Sequence, residues 1–61
     1  MKIWRNERDY IEIRKSQDGQ YPHEFRIVRG GDEDEATWCP VVMGIEEALR
    51  RVRAKGWRIE E

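Results

Sequence analysis

Apolar residues recur with two different periods along this chain. Over residues 10–15 (YIEIRK) they alternate, with Ile11 and Ile13 pointing one way and Tyr10, Glu12 and Arg14 the other. That is the pattern of a strand with one face on a core and one face wet. The alternation returns over 23–29 (HEFRIVR), where Phe25 and Ile27 share the apolar face and Glu24, Arg26 and Val28 take the other. Between the two lies SQDGQY, whose Asp18-Gly19 pair is a strong hairpin signal. Antiparallel pairing sets Ile11 and Ile13 beside Phe25 and Ile27, and brings Glu12 to Arg26 across the wet face.

From residue 44 the period changes. Ile45, Ala48, Leu49 and Val52 follow the i, i+3, i+4, i+7 spacing of one helical stripe. The spacing predicts a helix over 44–57, with Glu46 and Glu47 in its first turn and Arg53 and Lys55 in its last, each favourable to the helix dipole. Gly56 supplies the left-handed residue that closes a helix, and Trp57 comes next to fold back onto the stripe. On the outer side Glu46 can pair with Arg50 and Glu47 with Arg51 at i, i+4. Leu49 and Val52 are expected to be buried with Ile11, Ile13, Phe25 and Ile27.

The rest of the chain falls around these elements. Residues 36–43 (ATWCPVVM) read as a third strand, which Pro40 confines to a sheet edge because it has no N–H for the ladder. Met1 and Ile3 alternate with Lys2 and Trp4, giving an additional short strand before a turn at Asn6-Glu7-Arg8-Asp9. Trp57 and Ile59 alternate with Arg58 and Glu60 as a short final strand. GGDEDE over 30–35 reads as a solvated loop. The predicted order is (β)-β-β-β-α-(β): a single small α+β domain over 1–61, an antiparallel meander of three to four strands with one amphipathic helix across one face. This order resembles that of plant AP2-type DNA-binding domains and of the arm-binding domains of phage-type integrases, which read DNA with the sheet. The resemblance is architectural, without a shared motif and without their basic charge.

Size and charge narrow the function. A chain of 61 residues buries only about 60% of its unfolded surface, and domains this small usually lean on disulfides, a metal or a partner. Cys39 is the only cysteine and His23 the only histidine, too few for an internal disulfide or a zinc site, so no cofactor or metal is expected. Self-association is what remains. Charged residues make up 41% of the chain, yet the net charge is −1, unlike a dedicated nucleic-acid binder. No apolar run approaches a membrane span and the N-terminus lacks a signal-peptide stretch, so a cytoplasmic protein is expected.

Two candidate surfaces emerge. Trp4, Trp38, Val41, Val42 and Met43 lie in predicted edge segments and are the candidate protein interface, since exposed tryptophan commonly anchors binding. Arg50, Arg51, Arg53, Lys55 and Arg58 form the alternative, a basic helix face able to contact phosphate. Asp32 to Glu35 lack the spacing of a calcium loop, and His23 with Cys39 matches no nucleophile–base motif. The expected function is a protein-interaction or regulatory module acting by binding, as a homodimer, and not an enzyme; the partner is a second copy or another protein. Nucleic-acid binding through the basic helix face is the alternative.

Overall fold

In a computed structural model, which describes residues 1–17 and 19–61, the described residues form five strands and one α-helix. They are β1 (Lys2–Trp4), β2 (Tyr10–Lys15), β3 (His23–Val28), β4 (Cys39–Pro40), α1 (Ile45–Ala54) and β5 (Arg58–Glu60), with a 3-10 turn at Glu33–Glu35. All strands join one antiparallel sheet in the order β4-β3-β2-β1-β5. The sheet therefore has five strands, not three to four, because both short terminal segments pair with each other. β5 returns from the helix to lie against β1.

The β2–β3 register obeys the alternation: Ile11 lies opposite Ile27, Ile13 opposite Phe25 and Glu12 opposite Arg26. The expected Asp18-Gly19 turn includes Asp18, which lies outside the described residues. The turn before β2 is built by Asn6, whose Oδ1 accepts the N–H groups of Arg8 and Asp9, both at 2.8 Å. Asp9 then accepts the Gly30 N–H at 2.9 Å and ties this turn to the end of β3. The Asn6 side-chain bond first, and the Gly30 bond second, hold the Asp9 carboxyl below its ordinary range.

The helix closes as its sequence predicts. Gly56 takes φ 75°, its N–H donates to the Arg53 carbonyl at 3.0 Å, and the Trp57 N–H reaches the Val52 carbonyl at 3.4 Å. These two bonds are the Schellman arrangement. Val52 then packs on Ile3 and Ile13, with Met1, Ile45, Leu49, Trp57 and Ile59 around them. Of the two expected i, i+4 pairs, Arg51 with Glu47 forms, at 3.3 Å.

Three further expectations are corrected. The third strand shrinks from 36–43 to Cys39–Pro40, because the chain before it leaves the sheet edge and carries Trp38 over the second face. Val28, placed by alternation on the wet face, is 0% exposed, whereas Ile27, placed in the core, is 46% exposed. The loop after β3 is not merely solvated: it folds back so that Glu33 meets Tyr10. Alternation reports which residues share a face. It does not report which face is covered.

Candidate functional site

Cross-strand register arranges the two sheet faces in rows. On the helix side, Ile59, Ile3, Ile11 and Ile27 form one row across β5, β1, β2 and β3. Burial falls away from Ile3: it is fully buried, Ile59 and Ile11 on either side are half-buried, and Ile27 at the far end is open. The cause is width. Five strands at about 4.8 Å spacing are roughly 19 Å across, and a helix with its side chains is about 10–12 Å across. α1 covers β1 and the adjacent part of β2; on β3 Phe25 still packs against the core cluster, but Ile27 stays uncovered.

The same face holds a cleft of about 360 Å³. Ile11, Ile13 and Phe25 form its floor, Ala48 and Val52 its helix wall, and Val41 to Met43 its rim. Arg51 is the one charged side chain among its described lining residues. Val42 is 70% exposed and Met43 38% exposed on the rim. They are held there because the Val41 N–H donates to the His23 carbonyl at 2.9 Å, fixing the start of the connection into α1.

The opposite face has a cover of its own. Its first row is Arg58, Trp4, Tyr10 and Val28. The Trp4 and Tyr10 rings lie 4.8 Å apart, and the Arg58 guanidinium sits 5.5 Å from the Trp4 ring centre. Tyr10 Oη donates to Glu33 Oε1 at 2.5 Å, pinning the acidic loop across the row. That bond is the first cause, burial the second, of a phenol pushed up to about 12, and the same bond lowers the Glu33 carboxyl. Trp4 Nε1 is buried without a hydrogen-bond partner among the described residues.

Trp38 roofs the other half of this face. The Arg14 guanidinium lies 3.7 Å and that of Arg26 4.8 Å from its ring centre. Each arginine is also tied to a glutamate, Arg14 to Glu24 at 2.6 Å and Arg26 to Glu12 at 2.7 Å. The Glu12 bond leads the causes that raise Arg26 above its ordinary value. These arginines hold tryptophan and carboxylates in place, and a phosphate would have to displace glutamates to reach them.

The candidate residues therefore separate. Trp4 and Trp38 lie on the loop-covered face, while Val41, Val42 and Met43 frame the cleft on the helix face. The basic set divides too. Arg50 and Arg53 are exposed on α1, Arg51 turns to Glu47 and the cleft, Lys55 sits 5.3 Å from the Trp57 ring centre and Arg58 lies over Trp4. The exposed Cys39 thiol donates to the Thr37 carbonyl oxygen at 3.8 Å, and in the β3–β4 register Cys39 stands opposite Phe25, not His23. Among the described residues, no group of three His, Cys, Asp or Glu could hold a metal ion, and no helix is long and apolar enough to cross a membrane. Ile11 and Phe25 pack against the core cluster, as periodicity expects, and also floor the cleft; Ile27, which periodicity assigns to the core, lies beyond the cleft lining and is exposed. The signal available in advance was arithmetic: one predicted helix cannot span four or five strands.

No known protein family, curated protein or solved structure matches the chain.

Proposed function

We propose that the protein is a small interaction module that works by binding, as a homodimer, through the helix side of its sheet, without catalysis of its own. The observation that carries this reading is the cleft: a contiguous apolar surface on a chain whose mean hydropathy is −1.00. A concave, mostly apolar surface is the usual form of a binding site. The thin core supports it as well. The buried hydrophobic residues are Ile3, Tyr10, Ile13, Val28 and Val52, and association supplies burial that so small a chain lacks. A cytoplasmic location is part of the same reading.

Sedimentation equilibrium over about 10–100 µM is the test, the range in which a micromolar Kd, about −8 kcal/mol, is visible. A monomer–dimer equilibrium is expected, and a monomer throughout overturns the reading. The alternative has its own support in Arg50 and Arg53, exposed on α1 with no acidic partner within ion-pair distance among the described residues. Sub-micromolar, salt-sensitive binding to a nucleic acid, abolished by Arg50→Glu with Arg53→Glu, would put that reading first.

A further inference from the structure

Self-association through the helix side can be given a geometry, and that geometry rests on the homodimer reading. We propose that two copies stack the open halves of their sheets face to face about a two-fold axis, with Val42 of each seated against Ile11 and Phe25 of the other. The stack is staggered, so that each α1 lies outside the other copy's β4 edge.

The open half is shaped to meet itself. A two-fold contact uses the same patch on both copies, so that patch must carry both a projection and a hollow. Val42, 70% exposed, projects from the rim of a cleft whose floor is Ile11, Ile13 and Phe25. Ile27, 46% exposed, extends the floor beyond the mouth.

Area points the same way. A monomer of 7.4 kDa is expected to expose about 4,200 Å². This chain exposes 4810 Å², an excess of roughly 600 Å² spread over the whole chain, at the low end of the ~600–1,000 Å² that each partner gives to a standard interface. The Cα radius of gyration agrees: 11.4 Å against about 10.5 Å for a compact chain of this length. The molecule is built flat, 32 × 28 × 16 Å, with one sheet face half covered.

Charge around the patch favours a copy of itself over a strongly acidic or basic partner. Lys15 and His23 share this sheet face with Phe25 and Ile27, Arg29 lies beside Ile27, and Arg51 borders the cleft from α1. Glu47 is paired with Arg51, and Asp32 and Glu35 line a depression with Ile27 and Arg29. A rim of both signs can oppose unlike charges when it meets itself; a polyanion or polycation would face like charge along part of it.

Alternative modes fit less well. Pairing through the β4 edge is blocked because that strand has two residues and one is Pro40, which offers no N–H. Filling the open half with the partner's α1 would bury Glu46, Arg50 and Arg53, the polar side of that helix. Face-to-face stacking at the usual ~10 Å between sheets leaves them in solvent.

Sedimentation of wild type, Val42→Lys, Ile27→Lys and Arg50→Glu tests the mode of contact. Val42 and Ile27 are open in a single copy, so circular dichroism and melting below micromolar concentration should show both variants folded. Val42→Lys and Ile27→Lys are expected to weaken dimerisation at least tenfold, while Arg50→Glu leaves it unchanged. A wild-type dimer that persists undiminished in Val42→Lys overturns the proposed contact and leaves the homodimer reading standing. Should Ile27→Lys lose its fold, Val42→Lys decides alone. A wild type that never dimerises overturns both.

Discussion

Val28 and Ile27 are neighbours on β3, and their contrast tests the two-sided packing directly. Alternation alone puts Ile27 in the core and Val28 in water. The structure reverses this, with Val28 0% and Ile27 46% exposed. Val28→Ala deletes two buried methyl groups. At ~0.8 kcal/mol per buried carbon the transfer loss is about 1.6 kcal/mol. The cavity left under Tyr10 and the loop after β3 brings the total to about 2–3 kcal/mol. Ile27→Ala deletes three carbons, but nearly half of their surface is already wet and the site opens to solvent, so about 1 kcal/mol is lost. Both changes sacrifice a β-branched residue on the same strand, so that contribution cancels in the comparison. Urea unfolding followed by tryptophan fluorescence, run below micromolar concentration so that any association contributes nothing, reads the difference. With a slope of about 1 kcal/mol/M, Val28→Ala should unfold about 1–2 M earlier than Ile27→Ala. For a domain whose whole stability is about 3–9 kcal/mol, this is a large separation. Equal midpoints, or the reverse order, would show that the acidic loop does not cover the second face.

Other substitutions probe the helix end and the loop tether. Gly56→Ala forces a Cβ into φ 75° and should cost about 1–2 kcal/mol, a melting-temperature loss of roughly 4–8 °C per kcal/mol at this size. Tyr10→Phe removes the bond to Glu33 while keeping the ring packed, and should cost about 1 kcal/mol in the same melts. The signs of the shifts set the pH profile. Glu33 and Asp9 are lowered on folding, from ordinary values of 4.5 and 3.8, so their contribution is full above that range and fades as pH falls through and below it. Tyr10 rises from 10.0 to about 12, so its contribution is full below pH 10 and is lost between about pH 10 and 12. Melting temperature against pH should show both limbs in wild type, with the alkaline limb reduced in Tyr10→Phe; an unchanged alkaline limb would count against the tether.

Periodicity made part of this fold legible in the sequence. The β2–β3 register, the Glu12–Arg26 pair and the Gly56 closure all come from spacing within or between long, patterned segments. The two short terminal strands were legible as alternating segments, but at three residues each nothing in them showed that they complete the sheet by pairing with each other. The cover over Tyr10 and Val28 was invisible for a different reason. It is a loop without a period, and it is attached through Glu33 to Tyr10 and Arg26 and through the Gly30 N–H to Asp9, contacts between residues 7 to 23 positions apart. Trp38 was placed at a sheet edge, and its stacking over Arg14 and Arg26 depends on where that same loop runs. The candidate interface was half legible: Val41 to Met43 stood out as an apolar run beside Pro40, but their meeting with Ile11 and Phe25 depends on the tertiary position of α1.

If a second copy covers the open half of the helix-side sheet face, the chain's two methionines should respond differently to an oxidant. Met43 stands on the cleft rim, 38% exposed, whereas Met1 packs against the core cluster. Thioether oxidation tracks exposure, so Met43 should be oxidised readily in dilute protein and become protected as concentration rises through the micromolar range, with Met1 unchanged as the internal reference. A Met43 oxidation rate independent of protein concentration, in samples that sedimentation shows to be dimeric, would mean that the two copies meet somewhere else.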